Sequence, residues 1–447
     1  MSDHPTARSL RVLLVGRHFW PHASFDAAGF LAQLATDLYR SGVHVEVVTP
    51  RYAASWPEHF QFREIPVHRP AAAPRSDWSM GRYVRHLTTW LKEHSASFDL
   101  IVADSIREES QAVVEAAAAV GIASVLVSAG WGDESDPSWW QTSRSARRCA
   151  ATAKEADAII VKNAAAERLM IAQGFPQAML HRIEIGFTSS VHNLEDTRVA
   201  ARARLGAVNS DLSTMPDSEV VLCTGRMQKK GAMDILASAA RHLIAGRPDL
   251  RIWFVGDGPE RQSLYDFLRA DGVRNSIAMP GSFVDASDLM MAADVFVHAD
   301  HQGLDFALPS AVSVGLPIVA AEMAEVRSLL TPVGKPIKRI GASSASVDDN
   351  DLASDNSDQA DKDVADEDVA WFTPAKAKSI RIAIRQTLDG LPAARQRALQ
   401  LRRDLVRSRP QSKAIQAYID LMTRVVHAKS AGKLRASNKS SSIETAS

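Results

Sequence analysis

The sequence predicts two doubly wound α/β domains within one chain. Two observations support this: short runs rich in Val, Ile and Leu alternate with longer helical patterns, and this series stops and restarts near the middle of the chain. Runs of this kind, without polar alternation, are typical of parallel strands covered on both faces by helices. A polar, Pro-containing stretch over residues 209–218 separates the two series. We therefore expect the domain boundary near residues 190–218.

The individual elements follow from hydrophobic periodicity and from helix stop signals. A helix is predicted over residues 27–41, because the pattern there ends before a glycine. The predicted strands of the first half are 10–15, 43–48, 99–103, 123–127 and 158–161. Those of the second half are 219–223, 251–255, 276–279, 295–298 and 317–320. Residues 374–427 are predicted to form helices, one of them at 393–409.

Two segments do not fit a compact domain. Residues 341–370 contain ten acidic residues and one lysine without apolar periodicity, and the tail from residue 429 is rich in Ser, Lys and Ala, so we expect both to be disordered. The predicted division of the chain is a flexible N-terminus (1–9), an N-terminal domain (10–190), a linker (191–218), a C-terminal domain (219–340), an acidic insertion (341–370), C-terminal helices (371–428) and a disordered tail (429–447).

Composition excludes several classes of protein. The 447 residues include 52 Lys+Arg and 52 Asp+Glu, a balance that argues against a nucleic-acid partner. The two cysteines, Cys149 and Cys223, cannot form a disulfide framework and suit a reducing compartment, although one bond between them is conceivable. No apolar run approaches the ~18 to 20 residues needed to span a bilayer, and no signal peptide is evident. We expect a cytoplasmic protein.

Two loops that follow predicted strands have the chemistry of anion sites. In residues 225–231, glycines allow tight turning, free helix amides attract anions, and Arg226 with Lys230 could clamp a diphosphate, with Lys229 as a competitor for the second role. The second loop spans residues 256–259. The glycines concerned are Gly225, Gly256 and Gly258. The alternative interpretation is that these glycines only form turns and that Arg226 makes a surface ion pair.

The order of five motifs is more informative than any one of them. After the loop at 225–231 come Trp-Phe-Val-Gly-Asp-Gly-Pro-Glu (253–260), Pro-Gly-Ser-Phe-Val (280–284), Ala-Ala-Asp-Val-Phe-Val (292–297) and Gly-Leu-Pro-Ile-Val-Ala (315–320). This series resembles the C-terminal domain of the family-4 retaining glycosyltransferases of the GT-B fold. The N-terminal half is similar to the same family more loosely, and the resemblance covers residues 10–427 without the acidic insertion.

The resemblance implies a GT-B architecture of two Rossmann-like domains that face each other across a cleft. It implies a nucleotide-diphosphate sugar as donor substrate, a glycan or lipid-linked acceptor, a place in polysaccharide biosynthesis, and no metal ion or separate cofactor. In such enzymes Arg and Lys stabilise the departing diphosphate in place of a metal. By position, Arg226 and Lys230 would hold the diphosphate, while Phe283 and Val284 would flank the base.

The donor site departs from the family pattern. Gln302 and Ser310 occupy the places of two glutamates that contact sugar and ribose, and neither can supply a carboxylate. Asp305 replaces a glycine and would put a carboxylate beside the donor phosphates. Phe25 and Asp26 replace a Gly-Gly loop. Hydrogen bonds to charged groups are worth roughly 1.5 to 3 kcal/mol each, so these changes could remove a large part of the affinity for a nucleotide sugar. Three hypotheses remain: a divergent hexosyltransferase, a catalytically degenerate binding or scaffold protein, and a sugar-nucleotide epimerase.

Other features have two interpretations each. The apolar helix pattern from Trp78 to Leu91 is a core helix or a contact with acceptor or membrane. Arginines within 395–409 form a solvated helix face or a surface for anionic lipid, which would place the protein peripherally at a membrane. Asp133 and Glu134 are loop residues or an acceptor base. Aromatic residues beside the same loop suit sugar faces or domain packing; they are Trp131, Trp139 and Trp140.

Overall fold

The computed structural model describes residues 9–20, 25–189, 194–283, 286–333 and 371–444. The strands are β1 (Arg11–Val15), β2 (His44–Val48), β3 (His59–Phe62), β4 (Ile65–His68), β5 (Leu100–Ala103), β6 (Ala123–Val127), β7 (Ala158–Val161), β8 (Leu180–Arg182), β9 (Val220–Arg226), β10 (Arg251–Asp257), β11 (Ile277–Gly281), β12 (Val295–His298), β13 (Ile318–Ala321) and β14 (Trp371–Thr373). The helices are α1 (Phe25–Arg40), α2 (Asp77–His94), α3 (Glu108–Val120), α4 (Asp136–Trp139), α5 (Arg144–Ala153), α6 (Ala164–Ala172), α7 (Leu194–Val208), α8 (Ala232–Ala245), α9 (Arg261–Ala270), α10 (Ser287–Ala292), α11 (Ala307–Val314), α12 (Ala324–Leu330), α13 (Ala377–Asp389), α14 (Leu391–Ser408) and α15 (Gln411–Glu444).

The N-terminal domain is built on an eight-stranded sheet with the order β3-β4-β2-β1-β5-β6-β7-β8. All neighbours are parallel except β3 and β4, which pair in antiparallel fashion. Every residue of β5, β6 and β7 is buried, as expected for strands covered by helices on both faces. The strand order reverses direction between β1 and β5. A crevice therefore opens at the carboxyl ends of these two strands.

The C-terminal domain repeats this design with the order β11-β10-β9-β12-β13-β14, in which all neighbours are parallel. Its order reverses between β9 and β12. The predicted fold class, two doubly wound parallel α/β domains, is confirmed. Each predicted strand is present, with its ends within three residues of the prediction.

The last helix ties the C-terminus of the chain back to the N-terminal domain. Ile415, Tyr418 and Leu421 of α15 pack with the strand residues of the N-terminal core. The chain passes from one domain to the other near Phe187 and returns near Gln411, and these two segments are hydrogen-bonded to each other. The Phe187 amide donates to the Arg409 carbonyl (2.8 Å), and the Gln411 amide donates to the Phe187 carbonyl (3.0 Å). Residues 371–428 are therefore shared between the two domains.

Sequence periodicity missed the short strands at the sheet margins, namely β3, β4, β8 and β14, each of three or four residues. It also missed α7 in the predicted linker. Helix α15 continues to Glu444, through the segment that composition marks as a disordered tail; its Ala, Lys, Leu and Arg residues are good helix formers that extend a packed helix. Residues 1–8, Val284 and the predicted acidic insertion 341–370 lie outside the described residues.

Both cysteines are buried, and neither takes part in a disulfide. A search of the described helices finds none that is both long enough and apolar enough to cross a membrane.

Candidate functional site

A cavity of about 220 Å³ lies where the carboxyl ends of the two sheets face each other. Arg17 and Asp104, which follow β1 and β5, line it from the N-terminal domain, while Arg226 and Gln302 line it from the C-terminal domain. The reversal points of both sheets therefore open into the same space. This is the place where doubly wound domains bind ligands.

Four Lys and Arg side chains line the cavity, and three of them are neutralised by protein carboxylates. Arg17 pairs with Glu108 and Glu109 at 2.9 and 2.7 Å. Arg107 pairs with Asp136 at 3.1 Å, and Lys162 pairs with Asp305 at 2.6 Å. The fourth, Arg226, is exposed, and its guanidinium has no partner among the described residues. Arg226 is thus the cation available to an anionic ligand in this part of the structure.

The backbone around Arg226 is held by the loop that follows β12. The Gln302 side-chain oxygen accepts the Arg226 amide at 2.9 Å, and the Gln302 amide donates to Asp300 at 2.9 Å. Asp300 in turn accepts the amide of Ala232, the first residue of α8, at 2.8 Å. The sequence predicts that free amides at the start of α8 attract an anion, but one of these amides is bound by Asp300. Gln302 positions the loop that carries Arg226.

Lys230, the other half of the predicted clamp, is exposed and lies outside the cavity lining. Its backbone adopts the left-handed conformation (φ 60°), and its amide donates to Asp234 at 3.0 Å. Lys229 is also exposed and does not line the cavity. The role of either lysine stays a prediction.

Two of the three predicted glycines serve the packing of the strand ends. A Cβ added at Gly256 would lie 1.8 Å from the Gly225 carbonyl oxygen, and one added at Gly258 would lie 2.3 Å from the Met227 carbonyl oxygen. Gly256 also has φ 151°, which other residues rarely adopt. Gly256 therefore allows the ends of β9 and β10 to lie close together, and Gly258 does the same for the loops that follow these strands. Gly225 alone of the three lines the cavity.

Phe283 and Ser310 lie in a second, larger cavity of about 670 Å³ between the domains. Its opposite wall comes from α1, including Asp37 and Arg40. The Ser310 hydroxyl donates to the Phe306 carbonyl at 2.7 Å within its own helix. Of the candidate site residues, Gly225, Arg226, Gln302 and Asp305 thus line the first cavity, and Phe283 and Ser310 line the second. Lys230, Gly256 and Gly258 line neither.

Asp305 does not present a bare carboxylate, because two residues of the N-terminal domain bind it. Lys162 donates to one of its oxygens and the Trp131 indole N–H donates to the other, both at 2.6 Å. The ammonium of Lys162 also lies 3.9 Å from the centre of the Phe30 ring. Lys162 is not among the residues predicted from the sequence, although it directly follows buried β7, at the carboxyl edge of the sheet, where ligand-binding side chains are commonly found.

Asp26, at a position where the sequence predicts the loss of a family glycine loop, caps helix α11 from across the domain interface. Its carboxylate accepts the amides of Asp305, Phe306 and Ala307 at 3.2, 2.7 and 3.3 Å. Burial is the main cause that raises the pKa of Asp26, with the Asp305 carboxylate adding to it, while Lys162 and the amides act in the opposite sense. We call Asp26, Trp131, Lys162 and Asp305 the interdomain cluster.

The N-terminal wall of the first cavity is acidic. Burial, together with the neighbouring Glu109, raises the pKa of Asp104 to about 7. Glu134 lines the cavity and accepts a hydrogen bond from Gln228 at 3.4 Å, whereas Asp133 is outside the lining. Among the described residues, no group of three or more His, Cys, Asp and Glu side chains is arranged to hold a metal ion.

The tryptophans of this region are packing residues. Trp131 is buried in the core of the C-terminal domain and bonded to Asp305. Trp140 is buried, stacks on Phe175 and donates to a backbone carbonyl, while Trp139 lies beneath Arg107. These contacts favour domain packing over the sugar-binding interpretation.

The two candidate membrane surfaces differ. Tyr83, Leu87 and Leu91 of α2 are buried, which supports a core helix, but Trp78 at its start is 78% exposed with Arg82 over its ring. Two arginines on α14 and directly after it bind other parts of the protein: Arg395 pairs with Asp294 at 2.7 Å, and Arg409 donates to the Thr331 carbonyl at 3.2 Å.

Sequence comparison matches both domains to glycosyltransferase families. Residues 218–340 match a family described as glycosyl transferases group 1, and residues 27–186 match a glycosyl transferase 4-like domain. Curated relatives include the lipopolysaccharide core biosynthesis glycosyltransferase LpsE of Rhizobium meliloti, 30% identical over 111 residues (24% of this chain, 31% of LpsE). The D-inositol 3-phosphate glycosyltransferase of Thermobispora bispora is 29% identical over 167 residues (34% of this chain, 35% of the relative). The chain thus spans about a third of the length of the curated relatives that it matches.

Structure comparison extends the likeness to nearly the whole chain. HepE of Anabaena, solved in complex with UDP and glucose, superposes with a TM-score of 0.65 over 93% of this chain and 99% of HepE, at 15% identity. WaaG, a glycosyltransferase involved in lipopolysaccharide biosynthesis, superposes with a TM-score of 0.63 over 92% of this chain and 99% of WaaG, also at 15% identity. At this identity the likeness shows the fold, which is GT-B.

Proposed function

We propose that this chain, which belongs to the group 1 glycosyltransferases with a 4-like N-terminal domain, transfers a hexose from a nucleotide-diphosphate sugar to a glycan or lipid-linked acceptor, with retention and without a metal ion. The observation that carries the proposal is Arg226. It projects from the reversal point of the donor-side sheet into the interdomain cavity, and it has no protein partner among the described residues.

The placement of the remaining residues supports a donor that spans both cavities. Phe283 and Ser310 in the second cavity suit the base and ribose, while Arg226 and Gln302 in the first suit the diphosphate and sugar. As the sugar bond breaks, negative charge develops on the diphosphate, and a preorganised guanidinium stabilises it. Gln302 contributes by fixing the Arg226 backbone. The acidic wall around Asp104 and Glu134 would face the acceptor.

The cellular setting follows from the same proposal. Relatives whose names place them in lipopolysaccharide core biosynthesis favour an acceptor of the surface-glycan class. Two buried free thiols suit the cytoplasm. A lipid-linked acceptor would bring the protein to an anionic membrane, and the exposed Trp78 with Arg82 is better placed for this contact than α14, several of whose arginines are engaged internally.

The experiment is a donor-hydrolysis screen with UDP, GDP and ADP sugars, followed by Arg226→Ala on the donor that is hydrolysed. Loss of one preorganised donor to a developing anion costs about 10² to 10³ in rate, and we expect a loss of that size. Arg241→Ala is the matched control, because Arg241 is an exposed arginine of the same domain outside both cavities. An unchanged rate for Arg226→Ala refutes the assignment.

A second candidate function, a glycosyltransferase-like binding or scaffold protein, is favoured by one observation. Gln302 and Asp26 stand where the resemblance predicts a glutamate and a glycine loop, and both are used internally: Gln302 binds the Arg226 amide, and Asp26 binds the start of α11. Calorimetry separates the two candidates. A folded protein that binds none of the UDP, GDP or ADP sugars would favour the scaffold.

A further inference from the structure

We propose that Asp26 is an intramolecular competitor of the donor diphosphate, whose carboxylate fills the anion site at the start of α11 and is displaced when the donor binds. This inference deepens the proposed function and rests on it. It concerns a contact between the two domains, so displacement of Asp26 also separates the domains at this point.

The contact is built as an anion site. Helix α11 has eight residues, and the free amides at its start carry partial positive charge. Three of these backbone N–H groups already converge on one carboxylate, with Phe306 providing the shortest bond at 2.7 Å. The site is therefore already occupied by a carboxyl group, which comes from the opposite domain.

The position of the contact places it in the path of the donor. The adjacent residues Phe306 and Ala307 line different cavities, Phe306 the larger one with Phe283 and Ala307 the smaller one with Arg226. Asp26 accepts the amides of both, so it lies at the wall that divides the two spaces. A nucleotide sugar whose base occupies one cavity and whose sugar occupies the other must pass its diphosphate through this wall.

The Phe306 ring reinforces the wall. A Cβ added at Gly29 of α1 would lie 2.3 Å from that ring, which means that the ring packs directly on the helix backbone. Both contacts join α1 to the start of α11. They would be lost together if α1 moved away from α11.

The charges of the interdomain cluster make Asp26 and a diphosphate mutually exclusive. The cluster holds two carboxyl groups, Asp26 and Asp305, against one ammonium group, Lys162. A diphosphate added beside both carboxylates would meet like charges at short range in a buried site, where screening by solvent is weak. If Asp26 leaves, the diphosphate gains the three amides and Arg226 lies on the adjoining side. Asp305 remains neutralised by Lys162.

The test is calorimetric titration of the full chain with UDP, GDP, ADP and inorganic pyrophosphate. We expect Asp26→Ala, which frees the amides, to bind the preferred nucleoside diphosphate at least tenfold more tightly than the wild type. Asp26→Asn keeps the shape and removes the charge, so its affinity for the nucleoside diphosphate should lie between those of the wild type and Asp26→Ala. The asparagine variant is measured instead if the alanine variant does not fold. Glu115→Ala is the control, because Glu115 is an exposed carboxylate outside both cavities whose partner is Lys92.

The outcomes are separable. Tighter binding by the Asp26 variants, with the control like the wild type, supports the competitor role. Equal binding by the wild type and the Asp26 variants overturns it and leaves the proposed transferase in place. Absence of binding by every folded variant overturns both, since the donor itself then has no site.

Discussion

Replacement of Lys162 by methionine tests whether the interdomain cluster holds the two domains together. The Lys162 and Asp305 side chains are only 3% and 7% exposed and lie 2.6 Å apart. Methionine retains much of the side-chain volume but leaves the Asp305 carboxylate buried, without its ammonium and close to Asp26. Removing one partner of a buried pair costs about 3 to 5 kcal/mol, mostly as the penalty for the charge left behind.

The matched control is an ion pair of the same chemistry on the surface. Lys92 and Glu115 lie 2.7 Å apart, but their side chains are 38% and 62% exposed. Exposed pairs contribute about 0.2 to 1 kcal/mol, so Lys92→Met should change stability by no more than that. The structure thus predicts that Lys162→Met lowers the free energy of unfolding at least three times as much as Lys92→Met, although the two ion pairs have almost equal lengths.

The assay is urea unfolding of the full chain, followed by circular dichroism and tryptophan fluorescence, since Trp131 belongs to the same cluster. Asp305→Asn, introduced together with Lys162→Met, should restore part of the lost unfolding free energy. The substitution removes the unpaired carboxylate charge, and the amide oxygen can still accept the Trp131 indole N–H. If Lys162→Met and Lys92→Met destabilise the protein equally, the attribution of interface stability to the buried pair is wrong.

Two further predictions concern Asp104 and Gly256. Because the folded pKa of Asp104 is raised to about 7, its contribution to stability is fully present below the unfolded value near 3.8 and is lost as pH rises toward 7 and beyond. Asp104→Asn should therefore reduce the decline in unfolding free energy between pH 4.5 and 7.5 by up to about 1.4 kcal/mol per pH unit, and parallel profiles for the two proteins would contradict this. Gly256→Ala should destabilise the C-terminal domain by about 3 kcal/mol or more, since the new Cβ would lie 1.8 Å from a carbonyl oxygen at φ 151°. Gly272 has φ 74° and open space around it, so Gly272→Ala isolates the backbone strain and should cost about 1 to 2 kcal/mol when both variants are compared by urea unfolding.

The sheets could be predicted from the sequence because their central strands are buried on both faces and therefore appear as continuous apolar runs. Strands β5, β6, β7, β12 and β13 are of this kind, and periodicity located them almost to the residue. The marginal strands β3 and β14 are three or four residues long. Strand β3 pairs with β4 in a short hairpin at the edge of its sheet, and β14 pairs with β13, which lies before the acidic segment. Local pattern contains too little information about such pairing.

The candidate site divides in the same way. Arg226 and Gln302 follow strands whose ends meet at one reversal point, so strand order alone places them together. Lys162 and Asp26 could not be assigned a role, because their partners lie on the other domain and their effect depends on how the two domains are packed. Gly256 and Gly258 occur in a motif for which the resemblance predicts a phosphate role, which stays a prediction, and the distances to the neighbouring backbone show that both also serve packing.

Asp26 and Asp305, two positions at which the sequence predicts a departure from the family pattern, are physically coupled. Asp305 brings a buried carboxylate to the start of α11, and Lys162 with Trp131 satisfies both of its oxygens. Asp26 then accepts the amides of Asp305, Phe306 and Ala307. Asp305→Gly alone would leave the Lys162 ammonium near Asp26, where it strengthens the hold of Asp26 on the helix. Asp26→Gly alone would free the amides while Asp305 stays paired, so under the proposed competition Asp26 is the position at which donor affinity changes without loss of the buried ion pair.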